Sequence, residues 1–72
     1  MIAMIARTTS GSTVEVLAAG TPVRYIHTDR HTAAERVRFG TITGHVWQGD
    51  LFWHYQVDDV EVVYHGSIVS TP

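Results

Sequence analysis

The chain has no cysteine, no lysine, only two leucines and two prolines, and no long apolar run. Without cysteine it forms neither a disulfide framework nor a thiolate metal site, which excludes the usual covalent and metal staples of a small scaffold. At 72 residues it is one domain at most. A domain this short buries only about 60% of the surface that its unfolded chain exposes. Self-association is the staple left over. The scarcity of Leu and Lys removes two of the commonest helix formers, while Val, Ile and Thr together supply 24 of the 72 residues. An all-β chain is therefore expected. Five Arg with no Lys suggest a GC-rich coding genome, and a phage or other mobile element as source.

Formal charge is −2 with histidine neutral, which excludes a bulk electrostatic attraction to nucleic acid or to an acidic membrane and leaves room only for a local basic face. Met1 to Ala6 is apolar for six residues, with no basic region before it. That run is too short for a signal peptide or a membrane span, so the chain is expected to be soluble and cytoplasmic. Residues 1–12 read as a flexible or edge-strand lead, and residues 13–72 as a single domain.

Five strand-like runs follow the lead: Thr13 to Ala18, Val23 to Thr28, Val37 to Trp47, Leu51 to Val57, and Val60 to about Val69 with a break at His65-Gly66-Ser67. Pro22 suits a strand start, where no ladder donor is needed. Thr32 followed by Glu35 is a capping-box pattern and predicts one short helical turn between Asp29 and Glu35. Short strands at regular spacing predict a small five-stranded SH3-like barrel. In that reading Gly40 is the bend that lets the third strand serve two sheets, and His65-Gly66-Ser67 is a helical turn before the last strand. An OB-like barrel is the alternative, and it normally needs a longer chain and a helix after its third strand.

Gly49-Asp50 has the chemistry of a two-residue hairpin turn. It pairs Gln48 with Leu51 and sets the register of both strands. One face then holds Ile42, Val46, Trp53, Tyr55 and Val57, continued across a turn at Asp58-Asp59 by Val60, Val62 and Tyr64, and is the expected core. The other face holds Trp47, Phe52, His45, His54, Val63 and His65. That face is too apolar to meet only water and reads as a docking surface for a second copy of the chain or for a protein partner. Cover by Val14 and Val16, or by Met1 to Ile5, is the alternative. One residue of slip at Asp58-Asp59 would exchange the faces of the last strand.

Opposed histidines come close enough to chelate an ion, yet no cysteine or paired acid joins them, so no metal is expected. A pH-dependent interface is the chemistry they suggest. Arg24, Arg36 and Arg38 with Tyr25 make a basic stripe that could contact phosphates and stack a base, which is the alternative reading as a weak nucleic-acid binder. No nucleophile elbow or glycine-rich phosphate loop is present, so neither enzymatic activity nor a cofactor is expected.

Gly20-Thr21-Pro22-Val23-Arg24, the tripeptide Trp47-Gln48-Gly49 and Glu61-Val62-Val63-Tyr64 resemble the small plasmid-borne type II dihydrofolate reductases. These are SH3-like barrels that form tetramers around one active-site pore. That family carries Val-Gln-Ile-Tyr at the pore strand, where this chain has Val62 in the glutamine position. The order of the elements also differs. The resemblance therefore implies the barrel and a symmetric assembly, with a pore-type reductase as the remote alternative. The chain is expected to be a non-enzymatic interaction module.

Overall fold

A computed structural model describes residues 2–71. Its elements are β1 (Ile2–Arg7), β2 (Thr13–Leu17), β3 (Pro22–Thr28), β4 (Glu35–Gln48), β5 (Leu51–Val57), β6 (Glu61–Val63), a 3-10 turn (His65–Ser67) and β7 (Ile68–Ser70). The fold is all-β, as the excess of β-branched residues predicts. Two antiparallel sheets form: a β1–β2 ribbon, and a five-stranded sheet in the order β6-β5-β4-β3-β7. The expected run from Thr13 pairs with Ile2–Arg7 and stays outside the larger sheet, while the expected last strand splits into β6 and β7 on either side of the 3-10 turn. No ladder joins β6 to β7 among the described residues, so the sheet curls without closing into a barrel.

Chain topology depends on β4, which pairs with β3 as far as Thr41 and with β5 from Ile42 onward. Gly40 lies at this handover, as expected. A Cβ there would overlap Val57 Cγ1 and lie 2.9 Å from Asp58 Oδ2, so only glycine fits. The corner is stitched by Asp58, whose N–H donates to the Thr41 carbonyl and whose carboxylate accepts from the Thr41 N–H, both at 3.0 Å.

The loop between β3 and β4 holds a single uncontinued helical turn, closed by Ala33 N–H on the Asp29 carbonyl at 2.9 Å, and no helix longer than that. Asp29 replaces Thr32 as its organiser: its carboxylate accepts from the N–H groups of His31 and Thr32 at 2.7 and 3.1 Å, and Ala33 reverses the chain at φ 59°. Those two N–H donors hold the Asp29 carboxyl below the usual carboxylate range. Thr32 accepts from Ala34 N–H, a local turn that competes with helix formation.

The β4–β5 register follows the expected pairing at its two ends, Gln48 with Leu51 and Trp47 with Phe52 at one, Ile42 with Val57 at the other. Between them Trp53 is an extra residue in β5 and Thr43 an extra residue in β4. His54 therefore faces Val46 and Tyr55 faces His45. The next turn also gains a residue. Asp58 and Asp59 both adopt positive φ, at 53° and 62°, and Val60 N–H closes on the Val57 carbonyl, after which Val57 pairs with Glu61 and Tyr55 with Val63. These three single-residue shifts split the expected faces, and Ile42, Tyr55 and Val57 stay in the core as expected. Trp53, Val60, Val62 and Tyr64, expected in the core, are exposed, while Phe52 and Val63 are buried. The core comprises Val16, Val23, Tyr25, Ile42, Phe52, Tyr55, Val57 and Val63.

Candidate functional site

The six residues expected to form an exposed docking face do not form one. Phe52, His54 and Val63 are buried, His45 and His65 are half-buried, and Trp47 is the exposed member of the set. The β1–β2 ribbon covers this face, with Val16 fully buried on it and Ala6, Val14 and Leu17 packed against the core. Internal cover, the alternative weighed from the sequence, is what the geometry contains; Met1 lies outside the described residues. The ribbon is also anchored at its far end, where Thr9 N–H donates to the Phe52 carbonyl at 3.1 Å and Thr8 bridges Phe52.

His45 holds the ribbon down directly through its backbone, and His65 does so only through Tyr55. His45 Nε2 donates to the Leu17 carbonyl at 2.6 Å, which puts the ring proton on that nitrogen. Leu17 N–H donates to the Tyr55 hydroxyl at 2.9 Å, and that hydroxyl in turn meets His65 Nδ1 at 3.2 Å. At Leu17 the outer edge of β2 is thus satisfied by side chains in place of another strand. Tyr55 is fully buried; burial pushes its phenol above the usual tyrosine range, partly offset by the Leu17 N–H. His54 points away from this network. Its ring lies against Trp53 at 5.1 Å and edge-on to Tyr64 at 5.7 Å.

The basic stripe is divided between two faces of the β3–β4 hairpin. Tyr25 pairs with Arg38 and His27 with Arg36 on one face, whereas Arg24 pairs with Phe39 on the other. Arg24 stacks its guanidinium 5.0 Å over the exposed Phe39 ring, and its Nε is buried without a hydrogen-bond partner among the described residues. Arg38 is held by Glu61 at 3.0 Å, with His27 3.7 Å from the same carboxylate. The four expected residues are therefore not brought together as one surface. Tyr25 is buried beneath Arg38 and Glu61, and its phenol is raised first by burial and then by the Glu61 charge.

Two concavities are lined by these residues. A groove of about 420 Å3 runs along the open seam between β3 and β6, with Tyr25, His27, Glu61 and Val62 in its walls. A smaller cleft of about 280 Å3 lies between the Thr8–Ser12 loop and Trp53, Tyr64 and His65. Trp53 and Tyr64 are the functional candidates that the sequence reading placed in the core. Trp53 reaches the cleft by alternation with the buried Phe52, and the bulge there is what lets Tyr55 join Phe52 in the core, a shift that neither turn pair nor hydrophobic alternation signals. No group of His, Cys, Asp and Glu suited to a metal ion occurs among the described residues. No helix among them is long and apolar enough to cross a membrane. No protein-family model, curated protein or solved structure matches the chain.

Proposed function

We propose that this chain is an SH3-like interaction module, left open as a barrel, whose partner is a second copy of itself paired along β1. One observation carries this reading. The β1 strand has a ladder on one side only, and Ile2, Met4 and Ile5 along it are 52%, 51% and 69% exposed. An exposed edge strand is ordinarily blunted by charge or proline. This one has no charge before Arg7 and no proline. A two-fold axis through β1 makes the edge self-complementary: each copy offers its unpaired N–H and C=O groups to the other, and the apolar side chains cover one another. Phe52, Val63, His45 and His65 of the docking face read from the sequence are buried or half-buried, and the outer edge of the ribbon is the more open surface. A chain of this length gains most from such pairing, because it has little core of its own.

Light scattering on the full chain and on Ile5→Lys tests the reading. Pairing along β1 gives the unmodified chain twice the 8.0 kDa mass of one copy. Ile5→Lys, at an exposed position outside the core, then gives one copy with an unchanged far-ultraviolet circular dichroism spectrum. A single-copy mass for both proteins at millimolar concentration, or an unchanged double mass for the variant, overturns it.

A further inference from the structure

The cleft between the Thr8–Ser12 loop and the ring of Trp53 is independent of the β1 pairing, and its walls differ in kind. Trp53 and Tyr64 form one wall, 45% and 52% exposed, and the buried His54 ring touches both. Thr9, Ser10 and Ser12 line the other. Thr8 Oγ1 is already engaged by Ser10 Oγ at 2.9 Å and by Ser12 N–H at 3.2 Å, which fixes the loop. The hydroxyls of Thr9 and Ser12 have no partner among the described residues. The lining contains no Asp, Glu, Lys or Arg.

Each feature narrows the ligand. Without a fixed charge in the walls there is nothing to compensate a desolvated phosphate, carboxylate or ammonium. The ring faces offer a flat apolar platform, and the hydroxyls offer donors and acceptors at its side. The β5 edge is closed here by Thr8 and Thr9, so an extended peptide gains no ladder in the cleft. Trp53 is the unpaired extra residue of β5 and points outward next to the fully buried Phe52. Placing a large apolar ring at the mouth of a hydroxyl-lined cleft suits a ligand with one apolar face and a rim of hydroxyls.

We infer that this cleft is a binding site for a neutral carbohydrate, with a pyranose ring stacked on Trp53 against Tyr64 and its hydroxyls bonded to Thr9, Ser10 and Ser12. The stacked face supplies most of the affinity, and the hydroxyl wall selects the sugar. No bond of the sugar is made or broken.

Cellotriose, maltotriose and chitotriose are the probes, titrated into the isotopically labelled full chain and followed by nuclear magnetic resonance. At least one of them moves the Trp53 indole N–H and the Thr9 and Ser12 amides in a saturable way. Trp53→Ala weakens that binding on the order of 10-fold, the loss of one stacking platform. Its exposed position lets the variant keep its dispersed spectrum. Ser12→Ala weakens binding less and leaves the Trp53 response in place. Ile5→Lys binds as the unmodified chain does, which separates this inference from the self-association above. The inference is overturned if none of the three sugars shifts these resonances, if Trp53→Ala binds unchanged, or if a proline-rich peptide occupies the cleft where all three sugars fail.

Discussion

Two ribbons of similar width are held in opposite ways. The β1–β2 ribbon lies flat on the larger sheet, with Val16 buried beneath it and Leu17 gripped by Tyr55 and His45. In the distal half of the β3–β4 hairpin, Glu35 to Phe39 are exposed throughout, and only Tyr25 among their partners is buried in the core. A two-stranded ribbon alone is marginal in water. The first ribbon is therefore stabilised by its landing surface. The second draws on its own turn at Asp29, on Arg24 over Phe39, and on the Arg38–Glu61 pair that reaches across the open seam. A segment outside the main sheet can be the better anchored of two, provided its backbone edge is satisfied.

The sharpest way to break the comparison is at Val16. Val16→Ala empties a fully buried site and is expected to destabilise by about 2 to 3 kcal/mol. Hydrogen exchange should rise first throughout β1 and β2 while the β3–β4 turn keeps its protection.

Tyr55→Phe removes the hydroxyl and leaves Leu17 N–H without its acceptor, for a loss of about 1 to 2 kcal/mol in chemical denaturation. The pH dependence has a definite sign. The Tyr55 phenol is raised in the folded state, so its contribution is complete below the ordinary tyrosine value near pH 10 and is lost as pH climbs through the raised one. Stability of the unmodified chain falls on that alkaline side. Tyr55→Phe falls less, the remainder coming from Tyr25, which is shifted the same way.

The smallest effect belongs to the distal half of the β3–β4 hairpin. Arg38→Ala is expected to cost at most about 1 kcal/mol, because the pair is solvent-exposed and screened. That difference should vanish in molar salt, with β1–β2 protection unaffected.

The positions of the strands were legible because β-branched runs, Pro22 and the glycines punctuate the chain clearly. The bend at Gly40 and the turn before β7 were legible for the same reason. The faces were not, since a face is a parity: one extra residue at Trp53, Thr43 or Val60 inverts every assignment beyond it until another restores it. His45, Phe52, Val63 and His65 gather about Tyr55, a residue expected on the opposite face, and their cover is a ribbon whose β2 pairing with Ile2–Arg7 no local pattern announces. Trp53 and Tyr64 were assigned inward for want of those three shifts. Asp29 displaced Thr32 because the N–H groups two and three residues further on converge on its carboxylate, a local capping turn that competes with the Thr32–Glu35 pattern.

The Trp53 and Thr43 bulges cancel, and this makes the central hairpin tolerant of change in one form only. Removing either residue alone leaves the strands out of phase from that point, so the error reaches one end of the hairpin or the other. Removing both returns an unbulged hairpin with its two ends still matched. In the vocabulary of insertions and deletions, the two positions form a compensating pair, and the chain between them can change length only in step on both strands.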